Sequence, residues 1–529
     1  MKHNGIIGLT VVDGWFILLS LALIFGINPM PEPVNCRALI FFEPFLMAYC
    51  IFHILFVLNY KWTSYLLLSL ISVFCVYELI LGYIQFLQDL GKSKGQDIIV
   101  GSFSGSGPFG CLLSLFTCIC VAVYVRSKIL IIRISSVFFT VLSFILMACT
   151  LSRASMFSFS VSMLFLMMKS EKAVSFVRRN RVYILLVSMA VGTGAYLVKK
   201  PSADGRILMA KVGLKIMKEN GFAGVGHGNY AGTYGKAQAA FFSDYISEDL
   251  TEINGIPERL RMTADCPAFC FNEYLKTGIE SGPIAMLLLL LLVTGGIMRT
   301  YRMGSVWCYP LISISVFACF SYPFEVGVLT LIMTVCLSSD NGNTGKKRKV
   351  VLFYSVMFAV FASIFYQHRT AIRSSYPVSG LTPLERLCSS RSKRYIIYGN
   401  DVLQDGLYDE KTLFALGQSL NRNGEYERSD KILKLGSEVS SDPMFWNVMG
   451  NNSMAQGKYR EAESRYEFAF RMVPNRLYPL YLLAKLYHEE GDTARFLKMA
   501  DMVETFVPKV ESVNTEKMRS EIRALKSSY

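Results

Sequence analysis

Long apolar stretches recur through the first two thirds of the chain, and they limit its possible folds more than any other feature. Each is long enough to cross about 30 Å of hydrocarbon. A mean hydropathy of +0.36 over 529 residues is typical of a polytopic membrane protein with a soluble appendage. Eleven spans are predicted, near residues 6–27, 38–59, 63–88, 109–126, 129–150, 154–168, 183–198, 283–298, 305–321, 324–338 and 350–366. The predicted fold class is therefore all-α, a membrane helix bundle.

Lysine and arginine concentrate in the short loops on one side of this arrangement. With a cytoplasmic N-terminus, basic loops such as 169–181 and 346–349 all lie in the cytoplasm, as the positive-inside rule expects. The net charge of +14 is then an orientation signal, and no nucleic-acid partner is predicted. Because the number of spans is odd, the long loop of about 199–282 and the whole C-terminal region face away from the cytoplasm.

The C-terminal region repeats with a period of 34 residues. Its small and aromatic residues follow tetratricopeptide spacing at Trp446, Gly450, Ala462, Tyr466, Ala469 and Pro474. The predicted division is a membrane domain at 1–366, a linker at 367–405 and a repeat domain at 406–529, an α-solenoid that would bind a protein partner. Because solenoid repeats bury their core against each other, removal of the tail is expected to leave the bundle folded.

Some polar residues have two interpretations at this stage. An acidic residue inside a membrane span is a functional candidate by default, but it can equally be a packed polar contact or an interfacial residue. Two cysteines outside the spans can pair or remain free thiols. The acids are Asp13, Glu43, Glu78 and Glu325, and the cysteines are Cys266 and Cys270.

Five unusual polar segments are predicted on the same outer face of the bundle. They are GSFSGSGPFG (101–110), SRAS (152–155), SADGR (202–206), GFAGVGHGNY (221–230) and FNEYL (271–275). Arg153 either extends its guanidinium to the interface from a span end or, with Arg206, binds a phosphorylated headgroup. His227 is a general-base candidate or an exposed loop histidine. Asn272 and Glu273 either cap the following helix or belong to a site.

These segments resemble the superfamily of O-antigen ligases, O-antigen polymerases and bacterial O-linked oligosaccharyltransferases. The resemblance covers roughly residues 100–300, and some members also carry a periplasmic tetratricopeptide tail. It implies transfer of a glycan from an undecaprenyl-diphosphate donor to a hydroxyl of lipid A-core, a glycan or a protein, at the periplasmic face of the bacterial inner membrane. It implies neither metal nor nucleotide cofactor. The implied catalytic residues are Arg206, His227 and Glu273. The implied substrate-binding residues are Arg153, Ser202, Gly224, Gly226, Gly228, Asn229, Tyr230 and Asn272.

The chain departs from the family pattern at two positions. Phe271 stands where many ligases have a histidine before the motif asparagine, and Ala210 stands where many have an aromatic residue. Either His227 or Glu273 then deprotonates the acceptor, or the reaction proceeds without a strong base, or the chain is inactive.

Two other classes of function compete with the transferase. The acids within the predicted spans suggest a transporter or a flippase of lipid-linked glycans, although internal repeats between halves are not evident. The repeats alone suggest a membrane-anchored scaffold. No motif distinguishes a ligase from a polymerase or a protein glycosyltransferase, because acceptor choice is not written in these segments.

Overall fold

The structure is a computed structural model that describes residues 9–24, 34–35, 38–90, 99–169, 171–180, 183, 200–246, 256–340, 347–373, 407–408 and 410–528. The described part is helical apart from a two-residue parallel pair of strands, Val34–Asn35 (β1) with Leu407–Tyr408 (β2). The helices form three groups: an apolar bundle, a set inside the long loop, and a C-terminal stack of helix pairs.

The apolar bundle contains nine helices and one 3₁₀ turn within the described residues. They are α1 (Val11–Ile24), α2 (Ala38–Leu90), α3 (Ser106–Arg126), α4 (Leu130–Cys149), α5 (Arg153–Met167), α11 (Pro283–Arg302), α12 (Cys308–Ala318), α13 (Gly327–Ser338) and α14 (Lys347–Arg373), with the turn at Pro323–Glu325. A short charged helix, α6 (Glu171–Arg179), follows α5. Helix α2 is interrupted at Asn59, which has non-helical φ/ψ. The interruption lies at the predicted boundary between two spans.

Four helices of the described residues are long and apolar enough to cross a membrane: Pro44–Asp89, Ser106–Arg126, Leu130–Cys149 and Pro283–Arg302. Shorter apolar helices occupy four further predicted spans, at Val11–Leu23, Arg153–Met167, Cys308–Ala318 and Gly327–Ser338. The predicted span 183–198 lies outside the described residues except for residue 183, and so does most of the 367–405 linker. The chain therefore has the helices of a membrane protein, while the count of eleven spans stays a prediction.

The long loop folds into short helices instead of running as an extended connection. These are α7 (Lys200–Glu219), α8 (Tyr230–Ser243), α9 (Glu258–Thr263) and α10 (Glu273–Ser281). Helix α10 begins at the cap residue Asn272, whose side-chain oxygen accepts a hydrogen bond from the Leu275 amide at 3.0 Å. It ends at Gly282, whose φ of +88° favours glycine, and Pro283 then begins α11.

The C-terminal region is a succession of antiparallel helices, each packed on the next. They are α15 (Glu410–Arg422), α16 (Tyr426–Val439), α17 (Met444–Ala455), α18 (Tyr459–Met472), α19 (Tyr478–Glu490), α20 (Thr493–Thr505) and α21 (Val513–Lys526). Gly450 lies against the Tyr466 ring, with no room for a Cβ between them. The close approach expected of small residues at these positions therefore occurs here.

The repeat region shares one hydrophobic core with the long loop, in addition to the packing of each repeat on the next. Leu208 and Phe242 of the loop belong to the same buried cluster as Tyr466 and Leu483 of the repeats. Gln238 Nε2 donates to the Met472 carbonyl at 2.5 Å, and Asn475 Nδ2 donates to the carbonyls of Arg261 and Ala264.

Three of the acids within the predicted spans are engaged in packed polar contacts. Asp13 accepts a hydrogen bond from Tyr354 at 2.7 Å and lies 3.9 Å from Arg299. Glu78 accepts from the Ser102 amide at 3.0 Å and from its hydroxyl. Glu325 pairs with Lys276. The side chain of Glu43 lies outside the described residues. This pattern favours the packing interpretation over an ion pathway.

Candidate functional site

A cavity of about 480 Å³ lies where the bundle meets the long loop. Helix α5 contributes Arg153, Ala154 and Phe157, and one face of α7 contributes residues at helical spacing, including Ala203, Arg206 and Ala210. Its remaining lining residues are Ile207, Met209, Cys270, Phe271, Asn272, Leu275, Cys319 and Phe320. The lining is largely apolar, with two guanidinium groups and one carboxamide among the polar members.

Arg153 and Arg206 come from segments that are about fifty residues apart in sequence, yet they face the same cavity. Burial, followed by the positive charge of Arg153, lowers the pKa of Arg206. Two like charges next to each other in an apolar setting repel, and a bound dianion would relieve that repulsion. The cavity is therefore electrostatically suited to a phosphate or diphosphate group.

Phe271, at the position where the family pattern has histidine, packs directly on Arg206. The guanidinium carbon lies 4.9 Å from the centre of the phenyl ring. The same ring meets Tyr322 edge-to-face at 5.3 Å, and Tyr322 stacks on Phe269 at 4.5 Å. The sequence motifs did not predict this contact between Phe271 and Arg206. They were compared for the presence of a histidine at position 271, and a phenyl ring there has no role in the motif.

The turn before Arg153 is strained. Leu151 has a φ of +52°, a left-handed conformation that costs a leucine roughly 1–2 kcal/mol. Within this SRAS turn the hydroxyls of Ser152 and Ser155 are 2.7 Å apart. Gly110 of α3 lies so close that a Cβ would be 3.0 Å from the Ser152 Cβ. The turn is thus fixed from two sides, and it places Arg153 at the first residue of α5.

The glycine-rich segment 221–230 binds the protein's own backbone. The amides of Val225 and Gly226 donate to the carbonyls of Ile279 and Glu280, both at 2.9 Å. Gly224 has a φ of +72°, and a Cβ there would be 2.5 Å from the Glu280 carbonyl oxygen. The segment therefore closes the C-terminal end of α10, and its glycines allow this close approach.

The remaining predicted binding residues of this region also lie away from the cavity lining. Asn229 donates from Nδ2 to the Val225 carbonyl at 3.1 Å, and the Tyr230 amide lies 3.4 Å from a carboxylate oxygen of Glu280. Gly228 belongs to the same turn, and Ser202 is exposed in the first turn of α7. Of the implied substrate-binding residues, Arg153 and Asn272 are the two that line the cavity.

His227 is not an exposed loop histidine, because it is wedged between the glycine segment, α1 and α10. Its Nε2 lies 3.4 Å from the Leu23 carbonyl, which can only accept, so Nε2 carries the proton. Its Nδ1 lies 3.3 Å from the Ser281 hydroxyl. Burial lowers the pKa of His227 to about 4. The ring is neutral near pH 7, with both nitrogens in contact with the protein and outside the cavity lining.

Glu273 lies behind the cavity wall, in a buried cluster with Lys276, Glu280 and Glu325. Its carboxylate accepts a hydrogen bond from the Phe324 amide at 2.8 Å. Burial raises the pKa of Glu273 to about 8 and that of Glu280 to about 7, while the neighbouring carboxylates raise the pKa of Lys276. Both interpretations of the opening of α10 therefore apply in part: Asn272 caps the helix and also lines the cavity, and Glu273 anchors the helix to the bundle.

Cys266 and Cys270 are free thiols in the structure. Among the described residues no group of three or more His, Cys, Asp or Glu side chains is arranged to hold a metal ion.

Comparison of the chain with models of protein families, with curated proteins and with solved structures found no match.

Proposed function

We propose that this protein transfers a glycan from a polyprenyl-diphosphate donor to an acceptor hydroxyl, in the manner of the O-antigen ligase and polymerase superfamily. The observation that carries the proposal is the pair of guanidinium groups, Arg153 and Arg206, in one apolar cavity at the edge of the bundle. A diphosphate matches the paired charge, because guanidinium groups bind phosphate oxygens through bidentate hydrogen bonds.

The apolar part of the cavity fits the lipid part of such a donor. Phe157 is 51% exposed and Phe320 43% exposed, and their rings meet edge-to-face at 5.6 Å. They lie on the bundle side of the cavity, on α5 and just after α12. A polyprenyl chain would extend from the cavity over these rings, while its diphosphate would remain beside the arginines.

In the proposed reaction the acceptor hydroxyl oxygen attacks the sugar carbon, the bond from that carbon to the diphosphate oxygen breaks, and the hydroxyl proton passes to an oxygen of the departing diphosphate. Negative charge grows on the departing lipid diphosphate, and preorganised guanidinium groups stabilise it. The first-turn amides of α5, which begins at Arg153, add a favourable dipole. Neither His227 nor Glu273 lines the cavity, so stabilisation of the leaving group is the main contribution of the protein, and the acceptor hydroxyl is activated without a strong base.

The topology that belongs to this proposal has eleven spans, a cytoplasmic N-terminus and the site on the periplasmic face of a bacterial inner membrane. The C-terminal helix pairs are then periplasmic tetratricopeptide repeats packed over the long loop. Their position beside the loop suits a role in presenting an acceptor. The transporter alternative loses its main support, because Asp13, Glu78 and Glu325 are engaged in packed contacts.

The test is glycan transfer from purified undecaprenyl-diphosphate-linked donor by the full-length protein, with Arg153→Ala, Arg206→Ala and Arg206→Lys variants. Loss of Arg206 is expected to reduce turnover about 10²-fold or more, as for removal of one oxyanion donor. Lysine keeps the charge but loses the planar fork, so it should restore activity only in part.

Arg302→Ala is the matched control, because Arg302 is an exposed arginine at the C-terminal end of α11 and does not line the cavity. It should keep wild-type turnover. Wild-type activity in both cavity variants would contradict the proposal. Transport of lipid-linked glycan without transfer would favour the flippase alternative.

A further inference from the structure

The ring of Phe271 contacts both Arg206 and a pair of aromatic rings. The guanidinium carbon of Arg206 is 4.9 Å from the centre of the Phe271 ring. Tyr322 meets the Phe271 ring edge-to-face at 5.3 Å and is itself stacked on Phe269 at 4.5 Å and 17°. Three separate segments thus contribute to one cluster of a guanidinium group and three rings beside the cavity.

We propose that Phe271 is a positioning residue that fixes the guanidinium plane of Arg206 toward the cavity. This inference rests on the proposed function and assigns a role to the position at which the family histidine is absent. A cation over an aromatic face is attracted by the ring quadrupole, and the attraction is strongest when the pair is removed from water. Phe271 and Arg206 are both half-buried and line the largely apolar cavity, so the contact is partly shielded from water.

Two features explain why Arg206 requires such a support. Its closest charged neighbour in the cavity, Arg153, repels it, and burial weakens its hydration. A flexible arginine side chain would turn away from Arg153 in the absence of ligand. The ring of Phe271 offers a neutral surface that attracts the cation without neutralising it, so the charge remains available for a phosphate group.

The backbone next to Phe271 and Tyr322 is held by hydrogen bonds. Phe271 directly precedes Asn272, the cap residue of α10, so its backbone is fixed by the start of that helix. Tyr322 leads into the 3₁₀ turn at Pro323–Glu325, where the Phe324 amide donates to Glu273. The backbone that carries Phe271 and the backbone that carries Tyr322 are therefore both held in place.

The test is a double-mutant cycle on the full-length protein, with equilibrium binding of farnesyl diphosphate as the readout and farnesol as the uncharged comparison. Phe271→Leu is expected to weaken binding of the diphosphate about 3- to 30-fold, the range that corresponds to one cation–π contact. Phe271→Tyr keeps the ring and should bind like the wild type. In an Arg206→Ala background, Phe271→Leu should cause no further loss, because its effect acts through Arg206.

The control is Phe138→Leu, since Phe138 lies on α4 with 57% of its surface exposed. It should leave binding unchanged. Equal losses of affinity for Phe271→Leu with and without Arg206 would show that the ring only builds the cavity wall. No loss of affinity for Phe271→Leu in the protein that retains Arg206 would show that the ring does not position Arg206. Either result overturns the inference while the proposed function stands. A wild-type protein that binds the diphosphate no better than farnesol would refute the proposed function, and this inference with it.

Discussion

Glu273 and Glu280 are buried acids whose protonation is linked to folding. Their pKa values are raised to about 8 and about 7, mainly because burial disfavours the charged form. A carboxyl group with a raised pKa binds its proton more tightly in the folded state than in the unfolded state. Its contribution to stability is therefore fully present below about pH 4.5 and is lost as the pH rises through the folded pKa. Lys276, whose pKa is raised above its usual value of 10.5, stays charged throughout this window.

Glu273→Gln is predicted to flatten the dependence of stability on pH. Glutamine resembles the protonated acid, so the variant lacks the part of the stability loss between about pH 5 and pH 8 that comes from Glu273, while the part from Glu280 remains. The measurement is the thermal unfolding midpoint of the detergent-purified protein at several pH values. Glu219→Gln is the control, because Glu219 has an exposed side chain at the end of α7. Parallel curves for wild type and Glu273→Gln would contradict the assignment.

Helix α8 approaches the repeat region so closely that one of its positions, Gly232, requires glycine. A Cβ at Gly232 would overlap the carbonyl of Glu438, and one at Gly235 would be 2.7 Å from the terminal carbon of Met472. Lys236, on the same helix, pairs with the Glu438 carboxylate at 2.5 Å. The contact between loop and repeats is therefore a packed interface between helices α8, α16 and α18.

Gly232→Ala is predicted to destabilise this interface by about 1–3 kcal/mol, the usual cost of overpacking. The obstacle is backbone, which cannot rotate away as a flexible side chain would. Gly327→Ala is the matched control, because a Cβ at Gly327 has no neighbour within 4 Å among the described residues, and its effect should be close to zero. Limited proteolysis of the loop would report the change, and equal protease resistance of the two variants would contradict it.

Arg299 forms polar contacts between helices of the bundle. Its guanidinium lies 3.6 Å from Asp340 and 3.9 Å from Asp13, and it donates to the Leu337 carbonyl. Arg299→Ala would leave two acids buried without their cation, so we expect a loss of about 3–5 kcal/mol in unfolding free energy. Arg302→Ala, an exposed neighbour on the same helix, should have little effect on the unfolding midpoint in detergent. Similar midpoints for the two variants would argue against a stabilising role of this network.

The sequence predicted the parts of the molecule that depend on local patterns. Apolar length and turn residues located the bundle helices, and the SRAS and SADGR segments identified both cavity arginines. It did not predict that Phe271 would support Arg206, because an aromatic–cation contact between distant segments leaves no periodic signal. It also missed the docking of α8 on the repeats. The spacing of Gly232 and Gly235 on one helix face was the available signal.

At the scale of the whole molecule, the long loop and the C-terminal helices form one folded body. Removal of residues 406–529 would expose the loop side of a shared core that includes Phe242, Tyr234 and Ile216. We therefore predict that the truncated chain has a protease-sensitive loop and a broadened or aggregated elution profile. Truncation after residue 512, which removes only α21, is the control and should preserve the loop. A monodisperse truncated protein with an intact loop would contradict this prediction.

The shared core also has a consequence for biosynthesis. Lys236 meets a partner 202 residues further along the chain, and Gln238 meets one 234 residues further along. A ribosome adds about 5–20 residues per second, so the loop waits for roughly 10–50 seconds with its apolar side uncovered. During that interval the helices from Pro283 to Arg373 and then the repeats are synthesised. The loop is thus a nascent domain that completes its core only at the end of translation, and until then its apolar side remains open to wrong contacts.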